Sequence, residues 1–103
     1  MKIAIVSTDG TNVNDHFGKA EKFLIYEKDD TGLVKVEERK SVPLSVNDPD
    51  HLFDKSRFDQ ICNVIHDCEK VVMTRIGDVP KEKLVEKGIE PIIFDGPIAS
   101  IPL

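Results

Sequence analysis

His16 is the residue to which chemistry is easiest to assign. It lies in Ser7-Thr8-Asp9-Gly10-Thr11-Asn12-Val13-Asn14-Asp15-His16-Phe17-Gly18-Lys19, a polar, glycine-punctuated stretch without periodicity. A neutral imidazole is a good ligand for iron, zinc or copper, and the neighbouring Asp15 is placed to fix its tautomer. Phe17 offers an apolar wall, and Gly18 lets a bulky ligand approach the backbone. The tripeptide alone does not separate this reading from a solvated histidine in a polar loop. Long connections in small chains are usually functional or disordered. Phe17 and His16 among so many Asn and Asp residues favour an ordered site. The Gly and Asn content also predicts a segment more mobile than the sheet.

Other candidates carry two readings each. Asp9-Gly10 is a metal- or phosphate-binding corner or simply an Asp-Gly turn. The Gly-Lys-Ser/Thr ending of a P-loop is absent, and Gly10 and Gly18 do not form a dinucleotide fingerprint. Cys62 and His66 stand at i, i+4 and could reach one metal ion. Cys62 equally belongs to an apolar stripe, and a histidine near a helix C-terminus is favoured by the dipole alone. Cys68, read as opening the fourth strand, is open between ligand and core. Arg75 follows Val71-Val72-Met73; if that strand runs parallel to the first, both end at one edge, where α/β sheets bind ligands. Arg75 would then stand beside the His16 loop. Lys19, Lys22 and Lys40 would join it in a local basic patch suited to an anionic ligand.

The elements that must position these residues read as follows. Ile3-Ala4-Ile5-Val6 is a buried strand, and Phe23-Leu24-Ile25-Tyr26 a second. Glu27 to Gly32 is a hairpin turn in which Gly32 takes a positive φ. Leu33 to Glu38 alternates, which predicts Val34 and Val36 facing the core and Lys35 and Glu37 facing water. Ser41 to Asp50, with Pro43 and Pro49, is a surface connection. A helix runs from about His51 to His66, burying Phe58, Ile61, Cys62 and Ile65. Val71-Val72-Met73 is the fourth strand. Asp78 is placed to cap a second helix that carries Pro80 in its first turn and ends at Gly88. Ile92-Ile93-Phe94 is the fifth strand. The stretch from Gly96 to Leu103 carries two prolines and is too short for a stable helix. Helical connections between the last three strands require parallel crossovers, so the expectation is a mixed five-stranded sheet with helices packed on it.

Composition bounds the rest. The 103 residues are enough for one domain, and 40% hydrophobic with 32% charged residues is an ordinary globular balance. A net charge of −5 argues against a nucleic-acid partner. No apolar run approaches the roughly 18 residues that would span a bilayer, and Met1-Lys2 leads straight into a strand, so the expected location is cytoplasmic and not membrane-bound. Two cysteines make no disulfide framework.

Taken together, Ile3 to Gly10 and Val13-Asn14-Asp15-His16-Phe17-Gly18-Lys19-Ala20 resemble the dinitrogenase iron–molybdenum cofactor biosynthesis family. That family includes NifX-type carriers and the C-terminal region of NifB-type proteins. Asp67-Cys68, Val71-Val72, Ile76-Gly77, Leu84, Gly88-Ile89 and Pro91-Ile92 extend the resemblance over nearly the whole chain, closest to the NifX-type pattern. The resemblance implies a ribonuclease-H-like α/β fold and non-catalytic binding of an iron–sulfur precursor or the finished iron–molybdenum cofactor, in the setting of nitrogen fixation. It implies His16 as the metal ligand, with cluster contacts from Thr8, Asp9, Gly10, Asn12, Asn14, Phe17, Gly18, Lys19 and Arg75. Two departures stand out: the final residues cannot supply the C-terminal helix common in the family, and Asp78-Val79-Pro80 replaces smaller residues. The expected function is a carrier that receives a cluster from one protein and hands it to another. The rivals are a ribonuclease-H-like metal-dependent enzyme, for which Asp9 is the only acid that can be placed at the sheet edge, and a regulatory partner-binding domain without cofactor.

Overall fold

In the computed structural model, which describes residues 1–44 and 53–103, five strands form one mixed sheet. They are β1 (Lys2–Ile5), β3 (Lys22–Asp29), β4 (Gly32–Lys40), β5 (Lys70–Met73) and β6 (Glu90–Ile93), in the order β4-β3-β1-β5-β6. Strand β3 runs antiparallel to both its neighbours; β1, β5 and β6 are parallel. Two short strands, β2 (Asn12–Val13) and β7 (Gly96–Pro97), pair separately. The helices are α1 (Lys55–Val64) and α2 (Asp78–Glu86). The five expected strands, the hairpin and both helices are thus present. The first helix is shorter than the expected His51 to His66: Asp54 caps it, so that it begins at Lys55, and it ends at Val64. His51 itself and residues 45–50 of the expected surface connection lie outside the described residues.

Handedness explains where the helices go. The chain passes from β4 to β5 through α1 and from β5 to β6 through α2, both times stepping the same way across the sheet. Right-handed crossovers then put both helices on the same face. That face buries Phe58, Ile61, Cys62 and Ile65 from α1 and its end, and Leu84 from α2. They pack against Ala4, Val6, Phe23, Ile25, Val71 and Met73. The alternate residues Ile3, Ile5, Leu24 and Val72 face the other way. There they are covered by Val13 of β2 and by Ile98 and Ile101. The final segment is therefore not a bare tail: it adds β7 and a single 3-10 turn, Ile98–Ser100, over the second face.

Three local expectations are corrected. Val34 and Val36 do not face the core; they are 58% and 50% exposed. Ile25 pairs with Glu37 but Tyr26 with Lys35, leaving Val36 as the extra residue of a bulge. A bulge breaks the two-residue alternation. Glu37 and Arg39 accordingly share the helix face, where Arg39 reaches the Val64 carbonyl at 2.8 Å and the Asp67 carboxylate at 2.6 Å. The Asp67 and Glu37 carboxylates raise the Arg39 pKa further, and Arg39 in turn holds the Asp67 carboxyl well below the usual carboxylate range. Val34 lies out towards the hairpin tip, opposite Glu27. The second correction is at α2: Gly77 is its N-cap and Asp78 its first residue, with no side-chain cap. The cap that does form is Asp54 on α1, whose carboxylate accepts the Arg57 N–H at 3.0 Å. Third, Cys68 precedes β5 and does not open it.

The borders of the sheet carry few features that another strand could use. On β4 the bulge and the charged run Glu37-Glu38-Arg39-Lys40 break the edge, and on β6 Pro91 removes a donor.

Candidate functional site

The site starts where β1 and β5 end together. Because they are parallel, Ser7 and Thr74 leave the sheet at one edge. The chain from Asp15 then runs along the extension of β5. The Thr74 N–H donates to the Asp15 carbonyl at 3.0 Å and the Phe17 N–H to the Arg75 carbonyl at 2.9 Å, making a parallel bridge between His16 and Arg75. The expectation that Arg75 stands beside His16 is met. Phe17 turns inward, fully buried, with its ring centroid 6.1 Å from that of Phe23. It is an anchor of the core and does not form the apolar wall that the sequence suggested. His16, half-buried between these two backbone bonds, is held at a fixed place on the rim.

Beside this rim is an open cleft of about 1800 Å³. His16, Thr8, Gly18, Lys19 and Arg75 line it, as do Lys22 and Lys40, which β3–β4 pairing sets opposite each other. Its acidic lining residues are Asp15, Glu21, Asp54 and Asp78, and its far wall is apolar, from Val42, Leu44, Phe53, Ile76 and Val79. Sequence reasoning missed this far wall. Ile76, next to Arg75, was its one available signal; the others approach only through the packing of α1 and α2. The basic patch is real in position but shares the cleft with acids.

The three arginines differ in what they hold. Arg39 is engaged by Glu37, Asp67 and the Val64 carbonyl, and Arg57 by Asp54 and the Pro43 carbonyl. Among the described residues, Arg75 has no carboxylate within 4.0 Å. An exposed guanidinium at the cleft, unpaired with any carboxylate among the described residues, is available to an anion.

Asp9, Gly10, Asn12 and Asn14 do not line the cleft; they build the loop. The Asp9 carboxylate accepts the N–H groups of Thr11 and Asn12 at 2.8 Å, the Asn12 side-chain amide at 3.0 Å and the Ser7 hydroxyl at 3.2 Å. These bonds, the Asn12 side chain foremost, hold its carboxyl far below the usual range. Asn14 accepts the Thr8 N–H at 2.9 Å and donates to the Thr8 hydroxyl at 2.8 Å. Gly10, at φ 78°, donates to Ser7 Oγ at 2.9 Å. Side-chain hydrogen bonds thus supply the anchors that the polar sequence lacked, and Asp9-Gly10 is a turn.

The cysteines sit elsewhere. Cys62 and Cys68 are buried in the helix-side core. Burial pushes the Cys68 thiol up to about 11 and raises that of Cys62. A buried, protonated thiol is a poor ligand, which supports the core reading of both. His66 Nδ1 lies 2.9 Å from the Asn63 carbonyl. Among the described residues no three His, Cys, Asp or Glu side chains are grouped to hold a metal ion, and no helix is long and apolar enough to cross a membrane.

Known proteins are similar to this chain in sequence or in fold. The family model described as "Dinitrogenase iron-molybdenum cofactor" matches residues 1–100. The FeMo cofactor biosynthesis protein NifB of Frankia alni is 38% identical over 96 residues, covering 90% of this chain and 19% of that protein. The chain spans about a fifth of the length of the curated relatives it matches. Among solved structures, PH0822 superposes with a TM-score of 0.70 at 24% identity, covering 98% of this chain and 84% of that one. TM1290 from Thermotoga gives 0.59 at 21%, covering 93% and 78%. At these identities the two structures speak for the fold alone.

Proposed function

The chain belongs to the dinitrogenase iron–molybdenum cofactor family, and from that premise we propose that it is a one-domain, non-catalytic carrier that binds an iron–sulfur or iron–molybdenum cluster through His16. The observation that carries this reading is the pairing of His16 with Arg75 on the cleft rim. An imidazole contributes one lone pair to one iron, while Arg75, Lys19, Lys22 and Lys40 offset the charge of an anionic cargo. One protein ligand with charge contacts suits a cluster that must be released again to an acceptor protein. The spread of the cleft acids fits a carrier better than a metal-dependent nuclease-type enzyme, which needs carboxylates converging on its metal. The mixed sheet with its two helices supports the ribonuclease-H-like architecture implied by the resemblance, and we place the carrier in the cytoplasm.

The test uses a synthetic iron–sulfur thiolate cubane, mixed anaerobically with the protein and followed by visible absorption. Binding exchanges one thiolate on iron for the imidazole, without a change of oxidation state. His16→Ala should keep its fold, because a rim side chain contributes little to the core, while affinity falls on the order of tenfold or more. Arg75→Ala should weaken binding less, and most visibly at low salt. Unchanged uptake by folded His16→Ala removes His16 from the site.

A further inference from the structure

The loop that carries His16 is held from two sides, and only one of them belongs to the main sheet. Its His16 end is bonded to Thr74 and Arg75 beyond β5. Its middle is bonded to the segment that follows β6. Val13 pairs with Gly96 and Asn12 with Pro97, and the Ile98 N–H donates to the Thr11 carbonyl at 2.9 Å. Val13 is fully buried, beneath Ile98 at 5% and Ile101 at 8% exposure. Gly96 takes φ 137°, a backbone conformation that an L side chain adopts only with strain.

We infer that the segment Gly96–Ile101 is a clamp on the cluster-binding loop, and that Gly96, Ile98 and Ile101 are positioning residues for His16. The physical basis is conformational entropy. The stretch from Thr8 to Asn14 places only Val13 in the core, and a loop left free must be ordered at the moment of binding, which weakens affinity. With Val13 pinned against β1 and β5 by the segment above it, the loop is ordered before cargo arrives. The clamp also ties the site to the second face of the sheet, remote from both helices. This inference rests on the reading of His16 as the ligand only for its effect on uptake; the clamp itself is a property of the apoprotein.

The experiment therefore has two arms. In the first, amide hydrogen exchange is followed in the apoprotein carrying Ile98→Ala with Ile101→Ala. The amides of Thr11, Asn12 and Val13 should exchange about tenfold faster or more, with those of Ile5 and Val72 unchanged. Gly96→Ala is the second variant: it strains β7 without emptying the core and should produce the same local pattern. Exchange at Thr11 to Val13 that is unchanged, or that rises no more than at Ile5 and Val72, in both variants overturns the clamp. In the second arm the same proteins are titrated with the iron–sulfur thiolate cubane. Affinity should fall several-fold in both and return with Ile98→Val and Ile101→Val. Faster exchange with unchanged uptake overturns the positioning role. If His16→Ala also leaves uptake unchanged, the ligand reading fails while the exchange result stands by itself.

Discussion

The two faces of the sheet are covered by different kinds of structure. One face lies under α1 and α2: α1 and its end set Phe58, Ile61, Cys62 and Ile65 against β1, β3 and β5, and α2 adds Leu84. The other lies under one loop residue, Val13, and a short segment containing Ile98 and Ile101. The thick face includes three fully buried phenylalanines, Phe17, Phe23 and Phe58; the thin face is aliphatic at its centre, with Phe94 only partly buried. The difference separates two tasks: the helix-covered face holds the larger apolar cluster, and the thin cover connects the core to the site. Among the described residues, Phe17, one residue after His16, is what joins the loop to the thick face.

The sharpest way to break this comparison is to empty one side chain on each face. Phe58→Ala should cost about 3–5 kcal/mol in denaturant unfolding, because it removes a buried ring between helix and sheet. Ile98→Ala should cost about 2 kcal/mol, at the low end for such truncations, since a short segment can settle into the space. Equal losses would show that both faces carry the same load.

The next test concerns the polar seam that closes the thick face. Arg39→Ala should lose about 1 kcal/mol or more at neutral pH, as expected for an ion pair only partly exposed to solvent. The Asp67 carboxyl is held below its ordinary value, chiefly by Arg39. Its contribution is therefore complete above the unfolded carboxylate range and is lost progressively as pH falls from there through the lower value of the folded state. The wild type should lose more stability on acidification than Arg39→Ala; parallel pH curves would dissociate Arg39 from the seam. The smallest effect is expected at the bulge: Val36→Thr should stay within about 0.5 kcal/mol, and a larger loss would place Val36 in a packed environment.

Much of this was legible from residue order. Ile3 to Val6, Phe23 to Tyr26 and Val71 to Met73 are compact apolar runs, and compact runs announce buried strands whatever their neighbours do. The parallel rule then brought Arg75 to His16 without any side-chain detail. What escaped depended on contacts distant in sequence. The alternation of β4 looked regular because a bulge has no signature in the residues themselves. Phe17 looked like a ligand wall because its partner, Phe23, lies across a turn of the chain. Ile98 and Ile101, separated by Ala99 and Ser100 and flanked by prolines, form no periodic pattern; their partner is Val13, more than eighty positions earlier. The site was half visible for the same reason: His16, Lys19 and Arg75 are local or follow from topology, whereas Leu44, Phe53 and Val79 meet the cleft only once the helices are docked.

The borders of the sheet have a consequence for life in a crowded solution. A β-sheet grows by accepting strands at its rim, and an open rim is how folded domains join into fibres. Here one rim is interrupted by a bulge and a run of charges, the other by Pro91. Molecules that meet edge to edge find few free donors in register. Such a unit can be concentrated, or carried within a chain as long as those of its curated relatives, while its sheet remains five strands wide.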